Sequence, residues 1–124
     1  MARVTGIGGV FLKARDPATL SAWYRDRLGV PVQEGNFAVF TWGGEHAGST
    51  VWSVFPQDTD YFGPSGVGAM VNFRVEDLEA VLAELREDGV EVLDHVEEHE
   101  FGRFGWIVDP EGNRVELWQP SEGA

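Results

Sequence analysis

The sequence predicts an α+β fold in which two pseudo-symmetric β-α-β-β-β modules form an open, cupped eight-stranded sheet. Three observations carry that expectation: the chain is written twice, one segment has a clean helical stripe, and the end reads as strand, tight turn, strand. The repeat is the primary signal. Val10-Phe-Leu-Lys-Ala-Arg-Asp16 returns as Val71-Asn-Phe-Arg-Val-Glu-Asp77, Leu28-Gly29-Val30 as Asp88-Gly89-Val90, and Gly48-Ser-Thr-Val51-Trp52 as Gly112-Asn-Arg-Val115-Glu116. The offset runs 61, 60 and 64 in these three pairs, the drift that loop insertions produce. Two copies are too few for a solenoid, so they make a pair of modules.

Each copy opens with an alternating strand, about residues 6–14 and then 68–75. Asp16 follows as a helix N-cap with Pro17 at the first helical position, and Asp77 repeats the cap. Leu78, Val81, Leu82 and Leu85 form an i, i+3, i+4, i+7 stripe closed by Gly89, and Leu20, Trp23, Tyr24 and Leu28, closed by Gly29, are its counterpart. Three shorter strands complete each copy, at about 30–34, 36–42 and 49–55, then 91–97, 103–109 and 113–118. Pro56–Gly66, rich in Asp, Gly and Pro, joins the modules. The chain, 1–124, is thus expected to be a single domain, with module one at about 6–55 and module two at about 67–120.

Composition narrows function. A net charge of −12 argues against nucleic acid or an anionic membrane as partner. No apolar run reaches membrane-span length, and the start of the chain lacks a basic-then-hydrophobic signal. The absence of cysteine excludes disulfides, thiol catalysis and thiolate metal sites, and a cytoplasmic location fits it. Among nine basic residues Lys13 is the only lysine, and it falls on a predicted strand.

The two-residue period of a strand sorts the faces. Val10 and Leu12, like Val71, Phe73 and Val75, suit packing on a helix, which leaves Gly9, Phe11 and Lys13, and Met70, Asn72 and Arg74, on the other side. In the last strand Val115 and Leu117 face the helix, while Arg114, Glu116 and Trp118 do not. If the modules curl together, these second faces line one concavity whose mixed polar and aromatic lining suits a small molecule. Glu116 is the sharpest candidate, because a carboxylate inside an apolar run is costly to bury without a partner.

These residues resemble the vicinal oxygen chelate superfamily, which covers glyoxalase I, bleomycin resistance proteins and extradiol dioxygenases. The resemblance spans about Gly6 to Pro120 and is most specific in Asp109-Pro-Glu-Gly-Asn-Arg-Val-Glu116 and in the repeated strand-cap-helix starts at Asp16 and Asp77. It implies the paired-module cupped sheet, often within a homodimer, and a divalent metal held by four side chains on equivalent strands. Residue by residue those positions become Gly9, Trp52, Met70 and Glu116. Glycine offers no side chain, indole only donates, and a thioether is a poor ligand for a hard dication. The expectation is therefore a small-molecule-binding protein of this superfamily without the usual metal and without a cofactor.

The alternative is a glyoxalase-like lyase or isomerase in which Glu116 shuttles a proton with a raised pKa or holds an atypical metal. Phe11, Lys13, Trp52, Met70, Asn72, Arg114 and Trp118 are the expected ligand-contacting residues. His46, in a Gly-rich hairpin loop, and His95 and His99, among carboxylates, are the histidines that an atypical site would use. On a strand, however, His95 and His99 would stand more than ~10 Å apart, at about 3.3 Å per residue. A homodimer is expected, since an open sheet leaves strand edges unpaired.

Overall fold

A computed structural model of the chain describes residues 3–43, 47–64 and 67–122. Its elements run β1 (Val4–Ala14), α1 (Pro17–Leu28), β2 (Phe37–Trp42), β3 (Gly48–Pro56), β4 (Ala69–Val75), α2 (Leu78–Glu87), β5 (Glu91–Val92), β6 (Glu97–His99), β7 (Gly102–Val108) and β8 (Arg114–Pro120). They fall into two compact units, Met1–Gly8 with Val71–Ala124, and Gly9–Met70.

In the Gly9–Met70 unit the strand order is β2-β3-β1, with β1 parallel and β2 antiparallel to β3. Asp16 caps α1 as expected: its carboxylate accepts from the Thr19 backbone N–H at 3.2 Å and the Thr19 hydroxyl at 2.8 Å. Those bonds hold the Asp16 carboxyl below its ordinary range. Gly29 ends the helix in the left-handed region, φ 72°, with its N–H on Arg25 O.

The expected α1 stripe is only half right. Trp23 is 50% and Leu28 63% exposed, whereas Ser21 is buried. The helix is rotated so that Ser21 is covered and the Tyr24 ring meets Trp52 of β3 at 4.8 Å. The expected strand at 30–34 also shrinks to a single bridge between Gln33 and Phe37. Pro31 removes a ladder donor, and Gly35 and Asn36 take φ of 102° and 64°, which turns the chain before a strand can extend.

In the other unit the order is β1-β4-β8-β7-β5, with β6 also on β7. Asp77 caps α2 by accepting from Ala80 N–H at 3.1 Å, and Gly89 leaves the helix at φ 80°. Here the stripe holds: Leu78, Val81 and Leu82 bury against Val75 and Leu117, with Leu85, Phe73, Ile107 and Val115 packed around them. The expected strand 91–97 is broken in two, β5 and β6, both pairing along β7. That side of β7 carries Glu91, Glu97 and Glu98.

Between β7 and β8 the turn is built as its residues dictate. Asp109 Oδ1 accepts from the backbone N–H groups of Glu111 and Asn113, both at 2.9 Å, and Gly112 supplies φ 86°. The contrast between the helices gives a stability expectation. Leu82→Ala should lower unfolding free energy by about 2–5 kcal/mol in urea titrations, against a change within about 0.5 kcal/mol for Trp23→Ser. Equal losses would contradict the packing described for α2.

Candidate functional site

The face of β4, β8 and β7 turned away from α2 carries two rows of side chains, set by strand register. Asn72 lies opposite Glu116 and Glu116 opposite Trp106; two residues along, Phe104 lies opposite Trp118, and Trp118 opposite Arg74. Residues two apart share a face, so both rows stand on the same surface.

The first row is a hydrogen-bonded line. Asn72 Nδ2 donates to Glu116 Oε1 at 2.6 Å, and Trp106 Nε1 donates to Oε2 at 2.9 Å. Glu116 is 1%, Asn72 2% and Trp106 2% exposed. A buried carboxylate is tolerable because N–H donors reach both of its oxygens. Asn72 Oδ1, by contrast, has no hydrogen-bond partner among the described residues. It packs against Gly8 of β1, where an added Cβ would overlap it. At the far end the His95 imidazole stacks on Trp106, centroids 4.9 Å apart and planes at 27°.

Flat groups standing side by side make the second row. The Arg74 guanidinium lies 4.9 Å from the Trp118 ring, Trp118 is parallel to Phe104 at 5.8 Å, and His99 stacks on Phe104 at 4.8 Å. Trp118 is fixed by its indole N–H, which donates to Phe101 O at 2.9 Å. Burial of Arg74 lowers its pKa from the ordinary arginine value by desolvation.

Of the expected ligand-contacting residues, Asn72, Arg114 and Trp118 stand on β4 and β8 with Glu116, with Asn72 and Trp118 in these rows. Arg114 is half-buried and lies opposite Val108. Phe11, Lys13, Trp52 and Met70 belong to the Gly9–Met70 unit. There Phe11 contacts Phe55 at 5.4 Å, and Lys13 Nζ sits 5.3 Å from the ring centroid of buried Phe62. Tyr61 stacks on Phe55 at 5.5 Å, so the connecting segment folds back onto this face. Met70 is 2% exposed.

Trp52 requires a correction. The repeat matches it to Glu116, but its ring lies against Tyr24, on the helix side of β3. In register, Phe11 faces Ser53 as Asn72 faces Glu116, so Ser53 is the positional counterpart of Glu116. A slip of one residue reverses a strand's facing. His46 lies outside the described residues. His95 and His99, which the sequence sets among carboxylates, are exposed and serve as the outer plates of the two rows.

Trp106 as a partner of Glu116, and Gly8, are what sequence reasoning missed. Trp106 was legible in principle, because it and Glu116 stand equally far from Glu111 at the centre of the β7–β8 turn. Gly8 had no comparable signal.

A divalent metal does not fit these residues. The indole and amide N–H groups that reach Glu116 are both donors, and no group of three or more His, Cys, Asp or Glu gathers among the described residues. No helix among them is long and apolar enough to cross a membrane.

The chain thus has an α+β fold of two strand-helix modules, with a buried carboxylate, Glu116, on the last strand. Residues 9–118 match the model of the glyoxalase-like domain family, and the chain belongs to that family. Solved structures of similar fold include methylmalonyl-CoA epimerase from Mycobacterium tuberculosis, at 22% identity and TM-score 0.64, covering 95% of this chain and 89% of that one. A single-residue variant of Streptomyces coelicolor methylmalonyl-CoA epimerase, in complex with 2-nitronate-propionyl-CoA, is 21% identical with TM-score 0.70, covering 93% and 96%. A glyoxalase/bleomycin resistance protein/dioxygenase superfamily member from Vibrio splendidus 12B01 is 17% identical with TM-score 0.57, covering 94% and 97%. A search of curated proteins finds no match.

Proposed function

We propose that this glyoxalase-like protein binds a small, planar, partly aromatic molecule on the face formed by β4, β8 and β7, without the divalent metal common in its superfamily. The observation that carries this reading is the engagement of both Glu116 oxygens by Asn72 and Trp106. A carboxylate so held orders the face, with each oxygen already accepting one N–H bond. Beside it, the buried Arg74–Trp118–Phe104 row sets a guanidinium among flat rings, a composition that suits a planar ligand with some negative charge.

Titrating the protein with a panel of planar aromatic compounds while following tryptophan fluorescence tests the proposal. Saturable quenching is expected for at least one acidic member of the panel, with weaker binding in Trp118→Phe. A panel that leaves the emission unchanged would sink it.

Burial of Glu116 favours a second reading, an isomerase or lyase in which this carboxylate moves a proton. The epimerases of similar fold supply candidate substrates of the acyl-CoA class. Under this reading Glu116→Gln abolishes turnover of an acyl-CoA ester while binding persists. Under the first, no turnover exists to lose.

A further inference from the structure

Lys13 is the only lysine in a chain with 21 acidic and nine basic residues. It is half-buried, and among the described residues it meets no carboxylate; its ammonium instead lies 5.3 Å from the Phe62 ring centroid. A lysine that merely reached for water would carry its charge clear of the apolar surface. Lys13 holds its charge against an aromatic cluster. In register Lys13 lies opposite Phe55 and Phe11 opposite Ser53. Trp52 turns toward Tyr24 of α1, so alternation points Ser53 and Phe55 away from the helix, onto one face with Phe11 and Lys13.

The segment after β3 completes that face. Gln57 N–H donates to Ala14 O at 2.9 Å and Lys13 N–H to Gly68 O at 3.2 Å, so the segment leaves and returns beside the end of β1. Between those ties Tyr61 stacks on Phe55, planes 10° apart, and Phe62 meets the same ring edge-on at 5.2 Å. Phe62 is fully buried, whereas Phe55, Tyr61 and Ser53 keep part of their surface open. The Ser53 hydroxyl has no hydrogen-bond partner among the described residues. Arg74 opposite Trp118 matches Lys13 opposite Phe55, a cation beside an aromatic ring in both units. One step along the strands, the Gly9–Met70 unit has the Ser53 hydroxyl where the other unit has the Glu116 carboxylate. A resident anion is thereby replaced by a donor.

We propose that Lys13 and Ser53 form an anion-binding subsite on the Gly9–Met70 unit, taking the carboxylate of a small aromatic acid whose ring lies against Phe55 and Tyr61. An ammonium and a hydroxyl are donors that the two oxygens of a carboxylate accept. Desolvation by the surrounding rings strengthens that attraction over its value in open water. Phe55 and Tyr61 add flat apolar area that an inorganic anion could not use. With a net charge of −12 the chain as a whole repels anions, so the subsite must hold its ligand by contact rather than by long-range attraction. The subsite belongs to this unit alone and does not depend on a ligand beside Glu116.

Isothermal titration calorimetry of the whole chain with benzoate, and with the neutral and similarly shaped benzamide, reads the preference. Benzoate is expected to bind about tenfold tighter or more. Lys13→Met should remove that preference, Lys13→Arg should keep most of it, and Ser53→Ala should weaken benzoate severalfold, all with unchanged circular dichroism. Acetate, which lacks the ring, should bind more weakly than benzoate. As the only lysine, Lys13 can be dimethylated with carbon-13 while keeping its charge, and its methyl signal should shift saturably with benzoate. Equal affinity for benzoate and benzamide, or no binding of either, overturns the proposal. So does a benzoate preference that survives Lys13→Met with the methyl signal unmoved. That last result would put the acid elsewhere, with Arg74 beside Trp118 as its candidate holder, and would leave the reading of the β4–β8–β7 face standing.

Discussion

Replacing Glu116 by alanine is expected to destabilise the protein by about 3–5 kcal/mol, the largest effect of any single change on the candidate site. The estimate follows from what the carboxylate leaves behind. Trp106 Nε1 and Asn72 Nδ2 both lose an acceptor in a setting where Trp106 and Asn72 are 2% exposed. Each stranded donor costs about 1–3 kcal/mol, and the vacated volume adds a cavity term. Glu116→Gln should lose less, because one oxygen is kept, although its new NH2 must face a donor. Urea titration gives the free energies, and the near-UV circular dichroism of Trp106 should weaken in parallel. A loss under about 1 kcal/mol for Glu116→Ala, on the scale of a surface substitution, would mean that the carboxylate does not hold the row together.

Gly8→Ala is the second large effect. In a strand, alanine is ordinarily favoured over glycine by about 0.5–1 kcal/mol. At Gly8 the added Cβ would overlap Asn72 Oδ1 and come within 2.9 Å of Trp118 Cε3. Overpacking of a filled site costs about 1–3 kcal/mol, so the overlap outweighs the backbone gain and the sign is destabilising. Because the clash is with the Asn72 amide, the two positions are coupled. The double variant Gly8→Ala/Asn72→Ala should be more stable than the sum of the single losses predicts. Strict additivity would separate Gly8 from the row.

The second module was nearly all legible in the sequence. Asp77, the Leu78–Val81–Leu82–Leu85 stripe and the Asp109–Asn113 turn act through local rules: a cap, a period and a turn type. The facing of Asn72, Glu116 and Trp118 followed from alternation. Readings that needed a count across a loop were weaker. Trp52 and Ser53 differ by one position, and Phe11 to Ser53 spans 42 positions where Asn72 to Glu116 spans 44, so the repeat slipped across the intervening connections. Helix α1 misled for another reason: its stripe is apolar, but Ser21 and Tyr24 set the contact, leaving Trp23 and Leu28 outside. Periodicity says that a helix has an apolar side, and not how much of that side the sheet beneath can cover. The Asn72 partner of Glu116 lay beyond any local rule, because it is 44 residues away in the chain.

The acidic strands beside β7 have a consequence for how large an assembly of this chain can grow. A protein with two receptive edges adds copies head to tail without limit and becomes a fibre. Carboxylates at Glu91, Glu97 and Glu98 would oppose their own counterparts in a second copy, so that side repels a like strand. A guarded edge of this kind acts as a stop, because a chain cannot extend head to tail through a side that rejects its own copy.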